Sequence, residues 1–329
     1  MKSSQLLLAF LFIATGCSTF SQNKNILTRL NTIELRNVEG RIDHMSIDIK
    51  SGKLFIAALG NGSIEIIDLK TKKNITSLKG LEEPQGIFYY PAGNLLFVAS
   101  GGDGTCKIYN ASDFKLIKTI NLGDDADNIR YDKKRDIVFV GYGSGGIAAI
   151  DPLKTSLLYK IDLPAHPESL RIDESNGLMF VNIPDAEQIA VINIGERKIV
   201  QKIKLDVRGN FPMAIDSTNH IIFIGSRNPS RLVLYNANSL KKISDKNISG
   251  DADDIFYDKS DSLIFISCGS GYIDIFKQMN SKETVQVGSV KTSPGARTSL
   301  FVPELKKLFV AARKYDNNNA KVFEYLINH

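Results

Sequence analysis

The sequence predicts an all-β chain folded as a seven-bladed β-propeller of four-stranded antiparallel blades, on two observations. A Phe-Ile or Phe-Val pair recurs in a short apolar run at Phe55, Phe97, Phe139, Phe180, Phe223, Phe265 and Phe309, at intervals of 42, 42, 41, 43, 42 and 44 residues. The segments between these pairs read as short strands and turns, with no helical pattern. A period of about 42 residues with several strands per repeat is the sequence signature of propeller blades.

The third repeat shows how each element arises. Asn128 to Asp132 alternates its side chains, Lys133 to Arg135 turns, Asp136 to Val140 is a nearly continuous apolar run, and Tyr142 to Gly146 turns again. Ile147 to Asp151 and Leu157 to Ile161 supply two more strands. Runs rich in β-branched and aromatic residues, separated by Gly, Asn, Asp and Lys, are what strands and hairpin turns require. The run around Phe139 is apolar throughout, which implies neighbouring blades on both of its faces. An acidic residue closes the first strand at Asp48, Asp132, Asp173, Asp216 and Asp258, with Tyr90 in the second repeat. These aspartates are expected to bond the backbone of the following turn.

The seventh repeat supplies three strands, near Arg297 to Val302, Lys307 to Ala312 and Ala320 to Tyr325, before the sequence stops at His329. The segment Leu30 to Leu35 precedes the first repeat and has no blade of its own. It is expected to complete the last blade as its fourth strand, closing the ring and covering a sheet edge.

Residues 1–22 read as a secretory signal: Lys2 precedes the apolar run Leu6 to Ile13, which is too short to span a bilayer. Ala14-Thr-Gly-Cys17 resembles a bacterial lipoprotein box, in which the cysteine becomes the lipid-bearing first residue. The chain is therefore expected to be exported, either anchored through Cys17 or released into the periplasm, with residues 23–329 forming one propeller. The formal net charge of +5 comes from 41 Lys and Arg against 36 Asp and Glu, interspersed and without a basic and aromatic stripe. That argues against a nucleic-acid partner. Cys106 and Cys268 fall in repeats that are not ring neighbours, so no disulfide between them is expected.

The run His166-Pro-Glu-Ser-Leu-Arg-Ile-Asp-Glu-Ser-Asn-Gly-Leu-Met-Phe-Val-Asn182, followed by Ile189-Ala-Val-Ile-Asn193, resembles the repeat of YVTN-type, YncE-like bacterial propellers. The same frame can be laid over residues 43–325. The resemblance implies a propeller fold and a function among binding scaffolds, redox-system components and occasional enzymes. The absence of tryptophan sets the chain apart from WD40 repeats.

Function is expected at the mouth of the central channel. Twelve and eleven residues before each repeat phenylalanine lie Asp43-His44, Gln85-Gly86, Asp127-Asn128, Glu168-Ser169, Phe211-Pro212, Asp253-Asp254 and Arg297-Thr298. Loops after the second strands add Asn61, Asp103, Tyr142, Asn182, Asp185, Arg227, Asn228, Arg313 and Lys314. Convergent polar groups in a concave, preformed site are the default binding hypothesis. The candidate ligand-binding residues are Asp43, His44, Gln85, Asp127, Asn128, Glu168, Arg227, Asp253, Asp254, Arg297 and Arg313.

Asp127, Glu168, Asp253 and Asp254 are oxygen ligands of the type Ca²⁺ or Mg²⁺ prefers. Set against that, Gly123-Asp-Asp-Ala-Asp-Asn128 and Gly250-Asp-Ala-Asp-Asp254 match as one repeated turn, which needs no ion. The carboxylates are then expected to pair with His44, Arg297 and nearby lysines. His44, beside Asp43 and opposite Arg297, is the one weak candidate for a catalytic base. The expectation is a monomeric cell-envelope scaffold binding a protein, peptide or small ligand, touching the membrane only through a lipid anchor. The alternative is a metal-dependent hydrolase or lactonase using the mouth carboxylates.

Overall fold

A computed structural model describes residues 25–328. The proposed signal, Cys17 and His329 lie outside the described residues. Seven four-stranded antiparallel sheets form the blades. Blade 3 runs Ile129–Asp132, Ile137–Tyr142, Gly146–Asp151 and Ser156–Asp162, from the channel outward. The turn expected from Tyr142 thus starts one residue later, because Tyr142 still pairs with Gly146.

The repeat phenylalanines explain the period. In the second strand of blade 3, Val138 and Val140 enter an apolar cluster shared with blade 2, while Phe139 enters the cluster shared with blade 4. Alternation along a strand sends successive side chains to opposite faces, so a strand sandwiched between blades must be apolar at every step. Seven such clusters lie between adjacent blades. Each phenylalanine is almost fully buried, and burial of one such side chain stabilises by roughly 2–3 kcal/mol.

The turn aspartates act as expected. Asp48 accepts the N–H groups of Lys50 and Ser51 at 3.1 and 3.2 Å. Asp132, Asp173, Asp216 and Asp258 accept those of Arg135, Ser175, Thr218 and Ser260. Tyr90 instead donates its hydroxyl to Asp136 at 2.9 Å.

The ring closes through its first strand, Leu27–Leu35, which pairs antiparallel with the last, Ala320–Ile327, from Leu27 opposite Ile327 to Leu35 opposite Ala320, with one register shift between Arg29 and Asn31. Blade 7 is therefore Thr298–Val302, Lys307–Ala312, Ala320–Ile327 and Leu27–Leu35. Ile33 and Leu35 are buried between blades 7 and 1. Glu324 pins the seam: its buried carboxylate accepts bonds from Asn31 at 2.7 Å, Lys307 at 2.7 Å and Lys72 of blade 1 at 2.7 and 2.8 Å. Cys106 and Cys268 are both free and buried. Burial in apolar surroundings pushes the Cys106 thiol up to about 12, so it packs as a small apolar residue.

Candidate functional site

The first strands of the blades carry their leading residues to one end of the channel, where seven of the predicted residues converge. Asp43, His44, Asp127, Asn128, Glu168, Asp253 and Asp254 line a cavity of about 20 Å³, together with Arg41, Arg130, Ser169 and Phe211. That volume holds about one water molecule or a group of similar size. Blade 2 contributes no side chain here, because a Cβ on Gly86 would collide with the Asp127 carbonyl.

The mouth carboxylates pair with Arg297, as expected, and with Arg41 and Arg227 in place of the nearby lysines. Arg41 donates to Asp43 at 2.6 Å. Asp253 sits between Arg227 and Arg297, with Arg297 Nε 3.1 Å from Asp253 Oδ2. Arg297 also clamps Asp251, at 2.9 and 3.0 Å. Arg227 also lies over the Phe211 ring, 3.8 Å from its centroid. Asp254 accepts the Ser299 N–H at 2.7 Å. His44 Nε2 lies 3.7 Å from Asp43 and 4.0 Å from Asp127.

Other predicted residues face elsewhere. Gln85 turns to Asp125 at 2.9 Å. Arg313 lines a neighbouring cavity of about 40 Å³ with Arg41, Ile42, Asp251, Gly295 and Arg297. Among the second-strand loops, Lys314 pairs with Glu39 and Asp103 with Lys107, while Asn182 donates to the carbonyls of Phe211 and Pro212. Asn61 donates to Ser63, and Tyr142 underlies Lys160. Asp185 lines an outer surface cleft, and Asn228 precedes a cis proline. The repeated turn is real: Asp125 and Asp251 both have positive φ, and their carbonyls accept the N–H groups of Gly143 and Gly269.

Two features of this cavity bear on chemistry. Asp127 Oδ1 and Asn128 Oδ1 are buried acceptors without a hydrogen-bond partner, and the Glu168 carboxylate forms no ion pair among the described residues. The acids are also hard to ionise. Burial, reinforced by the Asp127 charge and opposed by His166, raises Glu168 to about 8. Burial raises Asp43, Asp253 and Asp254 to about 6, against the arginines around Asp43 and Asp253 and against His44 beside Asp254. Burial disfavours the charged form of His166, yet the nearby Asp127 carboxylate, a hydrogen bond with the Gly143 carbonyl and the Asp125 charge raise it to about 9. Among the described residues no group of three or more His, Cys, Asp or Glu side chains is placed to hold a metal ion. Asp127, Glu168, Asp253 and Asp254 share the cavity but do not form such a group.

Counting along the strands stopped too soon at both ends. Arg41 lies two residues before Asp43, and Arg130 two residues after Asn128. Both line the same cavity as the predicted positions, Arg41 from the segment before the first strand of blade 1 and Arg130 from within the first strand of blade 3.

No family model and no curated protein sequence matches the chain. Solved structures do. A chain of the mitotic checkpoint complex crystal structure superposes with a TM-score of 0.78 at 11% identity, covering 98% of this chain and 100% of that one. A chain of hydrazine synthase from Kuenenia stuttgartiensis superposes with a TM-score of 0.73 at 14% identity, covering 89% and 98%. The chain is a seven-bladed β-propeller. At these identities the likeness is one of fold.

Proposed function

We propose that this propeller is a non-enzymatic binding scaffold of the cell envelope, of the YVTN-type, YncE-like kind, whose acid-rich mouth receives a cationic group from a protein or peptide. The carrying observation is the lining itself. Five carboxylates converge on the cavity against Arg41, Arg130 and His44, and the buried Asp127 Oδ1 and Asn128 Oδ1 have no donor. An ammonium group is close to water in size and brings three donors and a positive charge. It would meet both acceptors and favour ionisation of Glu168. The likeness to a chain of the mitotic checkpoint complex is consistent with a protein partner. The envelope location rests on Lys2, the apolar run Leu6 to Ile13, and Cys17.

Calorimetric titration of the full-length chain with acetyl-Ala-Lys-Ala-amide, and with its Gln counterpart, tests this. The Lys peptide is expected to bind at least about tenfold more tightly, since a desolvated charge-assisted bond is worth ~1.5–3 kcal/mol. Its affinity should rise from pH 6 to pH 9 with protons released, because a cation drives Glu168 to ionise from a value of about 8. Equal affinity for the two peptides, or none for either, would reject the reading.

A further inference from the structure

Next to the mouth, each blade holds one first-strand residue opposite its repeat phenylalanine, and all of these but Ala214 line a channel cavity. These residues are Ser46, Phe88, Arg130, Arg171, Ala214, Phe256 and Leu300, paired across to Phe55, Phe97, Phe139, Phe180, Phe223, Phe265 and Phe309. Five of the seven are small or apolar. The other two are arginines, side by side on blades 3 and 4.

Arg130 and Arg171 differ from the arginines of the mouth. Arg41, Arg227 and Arg297 each grip a carboxylate; neither channel arginine has an ion pair among the described residues. Arg130 donates from Nη1 to the Ile129 carbonyl at 2.7 Å. Arg171 donates from Nη1 to the Leu170 carbonyl at 2.8 Å and to Ser169 Oγ at 3.4 Å. A guanidinium carries five N–H donors in a planar fork, so most of each fork is unused by the protein. Both side chains line the channel cavity, of about 440 Å³. That cavity lies within the usual range for small-molecule sites. Part of its wall is aromatic and aliphatic: Phe88 stacks on Tyr131 with centroids 5.3 Å apart, beside Phe256, Met45 and Leu300, while His44, Ser46 and Ser299 add polar groups. Burial and the neighbouring Arg130 charge hold the Arg171 guanidinium well below its ordinary value. Asp254, which borders the same cavity, and for Arg130 also Asp127, supply an opposing field without forming an ion pair with either arginine.

Two buried guanidiniums without an ion pair are costly unless an anion joins them. We infer that the channel of this propeller is a binding site for a small organic carboxylate, its carboxylate bridging Arg130 and Arg171 and its apolar body lying against Phe88, Phe256 and Leu300. Arginine forks match carboxylate geometry bidentately, and an aromatic wall selects a ligand with an apolar body over a bare inorganic ion. The ligand is either a free acid or the C-terminal carboxylate of a peptide. The inference does not depend on the reading of the mouth, whose test uses a cation.

The test is calorimetry on the full-length chain with three probes: 3-phenylpropionate, its neutral amide, and N-acetylphenylalanine as a mimic of a peptide C-terminus. At least one of the two acids should bind, at least tenfold more tightly than the amide. Preference for N-acetylphenylalanine would point to a peptide end, and preference for 3-phenylpropionate to a free acid. Arg130→Met and Arg171→Met should each weaken the acid by tenfold or more; Arg171→Met, which removes one of two repelling charges, should leave the melting temperature of the unliganded chain unchanged or raised, whereas Arg130 also faces Asp127 and Asp254. Should a Met variant misfold, Arg171→Lys keeps the charge but loses the fork and should still weaken binding severalfold. Equal response to acid and amide, unchanged acid affinity in the arginine variants, or no acid binding at 10 mM would each overturn the inference.

Discussion

Replacing Glu168 with Gln tests the electrostatics of the mouth directly. Glu168 meets the neighbouring charges of Asp127, Asp253 and Asp43 in a largely buried position, and its carboxyl rises from 4.5 to about 8. A value raised on folding means that the folded chain keeps a proton the unfolded chain has already lost. Stability should therefore fall as pH rises from about 4.5 to about 8 and stay lowered above that. At about 1.4 kcal/mol per pH unit the full displacement corresponds to roughly 5 kcal/mol. The side chain keeps partial contact with solvent, so about half of that, roughly 2 kcal/mol, is the expected effect. Gln has nearly the same shape and no proton to lose. Glu168→Gln should match the wild type near pH 4.5 and exceed it by about 2 kcal/mol at pH 9. For a domain of about 300 residues that is a rise of about 3 °C in melting temperature. Asp43, Asp253 and Asp254 titrate near 6, so the difference between the two chains above pH 6 isolates Glu168. Thermal melts followed by circular dichroism from pH 4.5 to 9 measure it. Parallel curves for the two chains above pH 6, or a less stable variant at pH 9, would refute the reasoning.

The other predictions concern the ring seam and the metal question. Leu35 is fully buried between blades 7 and 1, so Leu35→Ala should cost ~2–5 kcal/mol, and deleting residues 28–36 should destabilise the whole ring; a truncated chain melting with the intact one would contradict closure by this strand. Glu324 is held below its ordinary value, its burial overcome by hydrogen bonds from Lys307, Lys72 and Asn31. Its contribution is therefore present above pH 4.5 and lost as pH falls through its folded value. Glu324→Gln should cost roughly 3 kcal/mol at pH 7 and flatten the acid limb of the stability profile, and an unchanged acid limb would remove the seam from the account. Ca²⁺ and Mg²⁺ added to chelator-treated protein should leave the melting temperature unchanged, whereas a site at 100 times its dissociation constant would add ~2.7 kcal/mol; an upward shift lost in Asp253→Ala would favour a metal site.

The fold was legible because every blade meets the same physical demand. A second strand covered on both faces must be apolar, and the clusters that receive Phe139, Val138 and Val140 show the demand being met. The mouth positions followed from the same register, since strands in equivalent blades start at equivalent places. The partners at the mouth were not legible, because the cations reach between blades. Arg227 of blade 5 and Arg297 of blade 7 meet on Asp253 of blade 6, and Gln85 of blade 2 bonds Asp125, which leads into blade 3. No local spacing encodes which long side chain crosses to which neighbour. Arg130 and Arg171 were missed for a different reason. Each sits in a strand whose alternation looks ordinary, as Ile129-Arg-Tyr-Asp132 and Leu170-Arg-Ile-Asp173. A polar residue facing the channel there is indistinguishable in sequence from one facing solvent.

The acid-rich mouth and the arginine layer are not electrically independent. The charged residues that carry them are three positions apart, as Asp127 and Arg130 and Glu168 and Arg171 are, which places the layers about 10 Å apart. His44, Arg130 and Asp254 border both cavities. Over such a distance at an effective dielectric of about 20, two unit charges interact by about 2 kcal/mol. A cation seated among the mouth carboxylates and an anion seated on Arg130 and Arg171 should therefore help each other, each tightening the other by about tenfold or more. Linkage requires the two enhancements to be equal. Titrating 3-phenylpropionate with and without saturating acetyl-Ala-Lys-Ala-amide, and then in the reverse order, measures both. Unequal factors would mean that the two titrations do not report on the same equilibrium. Two affinities that ignore each other would mean that the ligands do not occupy adjoining layers of one channel, even if each binds the chain.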